Sequence, residues 1–179
     1  MAKHLEKDNT LPLYLATGSV LVIKSTSFDL VANGNSTVFR PGESHLDLYN
    51  KDDNITLRIK FRKGQKKIFC NDRASKSIGD GWGKERSTDL GPIDDGRSGY
   101  RSITISVYTD SSHRYQILFD LTTVCYFNSR FPGPALRMTY SAWGGPFTEE
   151  TILSNILQVK NYRICDLQPE EKQAIESGR

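Results

Sequence analysis

The stretch Asn54-Ile-Thr-Leu-Arg-Ile-Lys-Phe-Arg62 decides the fold. Ile55, Leu57, Ile59 and Phe61 alternate with Thr56, Arg58, Lys60 and Arg62. In an extended chain the apolar four then face a core and the polar four face solvent. A helix would scatter both sets around its circumference. The same period recurs in Arg101–Tyr108 through Ile103, Ile105 and Val107, and in Arg114–Leu121 through Tyr115, Ile117, Phe119 and Leu121. Shorter runs at 19–25, 45–49, 66–71, 123–128, 136–140 and 157–164 predict further strands.

Turn chemistry separates these runs: Asn33-Gly34-Asn35, Pro41-Gly42, Lys51-Asp52-Asp53, Lys63-Gly64, Asp80-Gly81, Asp94-Asp95-Gly96, Asp110-Ser111-Ser112 and Pro132-Gly133-Pro134. About ten short strands at such spacing predict an all-β antiparallel sandwich or barrel. Alternation with one polar and one apolar face is what stacked antiparallel sheets need. Two segments break the pattern. Val31–Glu43 is polar and contains Gly34 and Gly42, which predicts a long loop. Leu167–Arg179 carries Pro169 and Gly178 where a short helix would start and stop, so a docked helix and a frayed tail both remain open.

The chain of 179 residues suffices for one domain, predicted over 11–165 between an N-terminal segment, 1–10, and a tail, 166–179. With 37% hydrophobic and 25% charged residues it reads as globular, and its net charge of +3 is too small to argue for nucleic acid or an anionic membrane. No run approaches the roughly 20 apolar residues of a membrane span. The charged start, Met1–Asn9, lacks a secretory apolar stretch, so synthesis in the cytoplasm is expected. The sequons at Asn35 and Asn54 are then chance matches. Cys70, Cys125 and Cys165 are odd in number and widely spaced, as suits small buried hydrophobes rather than a disulfide framework or zinc site.

Chemistry concentrates between Leu57 and Ser87. A hairpin from Arg58–Arg62 into Lys67-Ile-Phe-Cys-Asn71 sets Arg58, Lys60 and Arg62 beside Phe69 and Asn71, and the following loop delivers Trp82 and Glu85 to the same surface. An aromatic platform beside fixed donors and acceptors suits a sugar: the ring covers the CH face and the polar groups read hydroxyls. Phe69 fits either on that face or between strands, and Trp143 reads as a packing residue.

These residues resemble the galectin family. Its site runs His-x-Asn-x-Arg, then Val/Phe-x-Asn or Phe-Asn, then Trp-Gly-x-Glu-x-Arg; here stand Arg58-Ile-Lys-Phe-Arg62, Phe69-Cys-Asn71 and Trp82-Gly-Lys-Glu-Arg-Ser87. Ser25–Leu30, Arg114–Asp120 and Val124–Asn128 look like the corresponding strands of fungal galectins, and the likeness spans Leu11 to Ile164. It implies a jelly-roll β-sandwich of two antiparallel sheets that binds glycans related to β-galactosides without catalysis or cofactor. It also implies homo-oligomers and export by a non-classical route. By the same likeness, Trp82 stacks on a galactose-like ring, Asn71 and Glu85 hold ring hydroxyls, and Arg62 reaches the first and second sugars.

The departures have consequences. Arg58, Lys60 and Ser87 stand where the family has His, Asn and Arg, with Arg86 one position early, and Pro41-Gly-Glu43 stands where fungal relatives recruit a substitute Asn. Arg and Lys only donate, so a donor cluster of Arg58, Lys60 and Arg62 is expected to favour N-acetylated or sulfated sugars. The alternative is a galectin-fold interaction module that has lost sugar binding and docks a protein on this basic face. Taken alone, the three cations fit a solvated strand face better than a site; combined with Asn71, Trp82 and Glu85 in family order they read as a site. A single-strand nucleic-acid surface at Lys63, Lys66, Lys67, Arg73 and Lys76 is opposed by the interspersed acids. Enzyme readings lack a nucleophile motif for His4, His45 or His113, and the Asp94-Asp95 and Glu149-Glu150 pairs sit in turns.

Overall fold

The computed structural model describes residues 3–4, 10–28, 43–62, 67–76, 79–89, 101–110, 114–120, 122–143 and 151–158. The Val31–Gly42 part of the expected loop, the 166–179 tail, the Asp94-Asp95 and Glu149-Glu150 pairs, Lys63, Lys66 and Cys165 lie outside the described residues, as does the side chain of Arg62. Strands β1 (Lys3–His4), β2 (Thr10–Leu15), β3 (Ser19–Phe28), β4 (Glu43–Tyr49), β5 (Ile55–Arg62) and β6 (Lys67–Arg73) are followed by β7 (Arg86–Asp89), β8 (Arg101–Thr109), β9 (Arg114–Phe119), β10 (Thr122–Asn128), β11 (Ala135–Trp143) and β12 (Thr151–Gln158). One sheet runs β1-β12-β3-β8-β9-β10, the other β2-β11-β4-β5-β6-β7, and every pairing is antiparallel. The expected all-β sandwich is present.

The apolar alternation of β5 packs as expected: Leu57, Ile59 and Phe61 meet Ile105, Val107, Tyr115, Ile117 and Phe119 of the facing sheet in one core cluster. Burying each such side chain contributes about 1.5–3 kcal/mol. Phe61 and Phe119 touch across the sandwich with ring centroids 5.6 Å apart.

Two expectations need correction. Thr56, expected in solvent, is fully buried. The β4–β5 register slips between Leu48 and Tyr49, leaving Thr56 as the extra residue of a bulge, so its hydroxyl turns inward. There it accepts a hydrogen bond from the Tyr115 hydroxyl at 2.8 Å and donates to the Leu48 carbonyl at 3.3 Å. Alternation also fails in the other sheet, where Val20 and Val22 are as buried as Leu21 and Ile23, and Gln116 and Leu118 as buried as Ile117. Those stretches of β3 and β9 are buried on both faces. Strand β12 spans Thr151–Gln158, so of the strand predicted at 157–164 only 157–158 lie among the described residues; apolar pairs such as Ile152-Leu153 mask the period of its earlier part.

Candidate functional site

The outer face of β4, β5, β6 and β7 gathers most of the expected residues. Register places Asp47, Arg58 and Asn71 in one cross-strand row, and His45, Lys60, Phe69 and Ser87 in the next. Arg62 pairs in backbone register with Glu43, two residues beyond Lys60. Phe69 therefore belongs to the face, though only 8% of it is exposed.

Trp82 arrives by a loop that folds back along β6. Gly81 takes φ 71°, a conformation that suits a residue without Cβ. The Ala74 amide donates to the Gly81 carbonyl at 3.0 Å, and Trp82 forms a bridge to Arg73. The indole is half-buried, with the guanidinium carbon of Arg58 at 4.3 Å from its ring centroid and that of Arg73 at 5.4 Å. Cations so placed are attracted by the ring's quadrupole.

Below this loop lies an anchor that sequence reading missed. Asp72 is buried and accepts from the Arg130 backbone amide at 2.8 Å and its Nε at 2.7 Å. Arg130 Nη2 also donates to the Gly81 carbonyl at 3.1 Å, and the Gly83 amide to the Asp72 carbonyl at 2.9 Å. A Cβ on Gly83 would collide with the Asp72 carboxylate, which explains the glycine after Trp82. No local signal ties Arg130 to Asp72, 58 positions apart.

The basic residues are not a bare donor cluster. Arg58 forms a two-pronged ion pair with Asp47, Nε to Oδ1 at 2.6 Å and Nη2 to Oδ2 at 2.5 Å. Lys60 Nζ donates to Glu85 Oε2 at 2.6 Å and lies 5.4 Å from the Phe69 ring centroid. Two of the three cations are thus neutralised, and the face is of mixed polarity: Glu85, 38% exposed, offers acceptors beside the Lys60 donors. Asn71 is nearly buried, and its side-chain oxygen accepts from the Asp72 amide at 2.8 Å. Arg58, Lys60, Asn71, Trp82 and Glu85 therefore converge on one surface. Among the described residues no cluster of His, Cys, Asp or Glu is placed to hold a metal, and no helix is long and apolar enough to cross a membrane.

A family model for galactoside-binding lectins matches residues 7–144. Galectin-1 of Coprinopsis cinerea is 30% identical over 150 residues, which cover 83% of this chain and 89% of the relative. Galectin-2 of the same fungus is 29% identical over 150 residues, with the same coverage of 83% and 89%. Among solved structures, a variant of human galectin-16 superposes with a TM-score of 0.61 at 19% identity, covering 87% of this chain and 99% of that one. A tetrameric galectin from the ball sponge Cinachyrella sp. gives 0.60 at 16% identity, covering 84% and 98%. At such identities the structures speak for the shared fold.

Proposed function

The chain belongs to the galectin family of galactoside-binding lectins, and on that premise we propose that it binds glycans, without catalysis, on the face of Arg58, Lys60, Arg62, Asn71, Trp82 and Glu85. The observation that carries this reading is the convergence of a half-buried indole, an amide and a carboxylate–ammonium pair on one sheet face. Trp82 supplies the stacking surface for a sugar ring. Asn71 and Glu85 read hydroxyls, and the family likeness assigns Arg62 to the first and second sugars. Charge-assisted bonds each contribute roughly 1.5–3 kcal/mol before desolvation, so affinities near micromolar or weaker follow.

Among acceptor-rich ligands, we place N-acetylated sugars ahead of sulfated ones. Asp47 and Glu85 already compensate two of the cations, so a sulfate meets less free positive charge than a bare cluster would offer. Association into homo-oligomers, which would present several such faces, belongs to the same proposal; one of the similar structures is tetrameric.

One observation favours a second reading. A guanidinium already lies over the Trp82 ring, where a sugar would stack. A galectin-fold module that has lost sugar binding and docks a protein through this face fits that arrangement. A glycan array probed with the wild type and with Trp82→Ala separates the two. Signal on N-acetylated β-galactosides that Trp82→Ala abolishes supports the lectin; a folded wild type silent on every glycan supports the interaction module.

A further inference from the structure

The two sheets end side by side at β7 and β10, and there the sandwich opens into a cavity of about 490 Å³. Arg86, Ser87 and Thr88 line it from one sheet, Thr123, Cys125 and Tyr126 from the other. A β-bulge sets what points into the interior. The β9–β10 register slips between Thr123 and Cys125, so Val124 is the extra residue and Cys125 turns inward beside Val124. Cys70, opposite Ile59 on β6, faces inward from the other sheet and is fully buried.

The two cysteines share one core cluster, Cys70 pairs with Arg86 across β6 and β7, and the Cys125 thiol donates to the Tyr126 carbonyl at 3.6 Å. The Cys70 thiol donates a hydrogen bond to Cys125; that bond and burial hold the Cys70 proton in place. The same bond, with the Thr88 hydroxyl and the Arg86 charge, lowers Cys125 below the ordinary thiol value. Both cysteines are free. One sulfur thus lines an open cleft beside an arginine, and a second thiol stands directly behind it.

We propose that Cys125 is a thiol-exchange site for anionic low-molecular-mass disulfides of the glutathione type, with Cys70 as the resolving thiol. Arg86 draws the anion into the cleft. The Cys125 thiolate attacks one sulfur of the disulfide, forming a mixed disulfide and releasing one thiolate. Cys70 then gives up its proton and attacks the Cys125 sulfur, expelling the second thiol. The pair loses two electrons, the small disulfide gains them as two thiols, and a Cys70–Cys125 bond joins the sheets. Because Cys70 immediately precedes Asn71, the bond tethers the strand that carries the glycan face. The exchange itself does not depend on glycan binding.

The test uses the full chain with Cys165→Ser, so that only this pair remains, treated with glutathione disulfide and followed by intact mass and peptide mapping. The expected result is loss of both thiols, no retained glutathione, and a peptide joining Cys70 to Cys125. With Cys70→Ala added, glutathione stays on Cys125. Glutathione retained although Cys70 is present, or no reaction until denaturant unfolds the chain, overturns the proposal. Should Cys70→Ala not fold, the joined peptide in the Cys70-containing chain decides alone.

Discussion

The guanidinium of Arg58 stacks 4.3 Å from the centre of the Trp82 ring while both its inner nitrogens grip the carboxylate of Asp47. The arginine is thereby held in place. A cation–π contact of this kind contributes roughly 0.5–2 kcal/mol, so a ligand that uses the indole must share it with Arg58 or offset its loss.

Asp47→Asn tests that arrangement. Asp47 is 2% exposed and Arg58 20%, so removing the charge leaves a half-sheltered arginine without its counter-ion. Stability should fall by about 2 kcal/mol in urea unfolding, below the range for a fully buried pair because Arg58 keeps some water. The freed cation should also raise affinity for a sulfated disaccharide about fivefold relative to its N-acetylated counterpart. Unchanged stability and selectivity would remove Asp47 from the account.

Arg130→Ala should weaken glycan binding without removing any ligand contact. It strips the buried Asp72 of its side-chain donor and releases the Gly81 carbonyl next to Trp82. We expect a stability loss of about 2–3 kcal/mol in denaturant titration and a several-fold loss of affinity in calorimetry. A destabilised protein with unaltered affinity would show that the anchor does not position Trp82.

Much of this was legible in advance. From Leu57 to Phe61 the buried set matched alternation because that sheet exposes one face, whereas Val20-Leu-Val-Ile23 reads as a continuous apolar run, the mark of a strand covered on both sides. Asp47 was within reach too. Pairing Leu48 with Leu57 and Leu46 with Ile59 keeps apolar residues on one face and forces Asp47 opposite Arg58, but only once the bulge at Thr56 is admitted. The turn alone implies the unshifted register. The Arg130–Asp72 anchor was not legible, since a contact between distant loops leaves no local periodicity.

Tyr115 gives the alkaline limit. Burial raises its phenol from 10.0 to about 12, against the opposing effect of its hydrogen bond to Thr56. Below pH 10 both folded and unfolded phenols are neutral and the contribution is intact. Between pH 10 and 12 the unfolded state ionises first, and about 3 kcal/mol of stability should be lost. Tyr115→Phe should be about 1 kcal/mol less stable at neutral pH, because Thr56 still bonds Leu48. It should lack this tyrosine's share of the alkaline fall, read as the difference between the two unfolding curves. Parallel curves through that window would contradict the assignment.

The central claim is that a sugar ring seats against one particular indole. The most direct measurement is the indole N–H resonance of Trp82, assigned against Trp82→Phe, during titration with neutral, N-acetylated and sulfated β-galactoside disaccharides. The account predicts a saturable shift of that resonance, largest with the N-acetylated sugar. A Trp82 signal that stays fixed through millimolar concentrations of every disaccharide, in a protein shown to be folded, would contradict it.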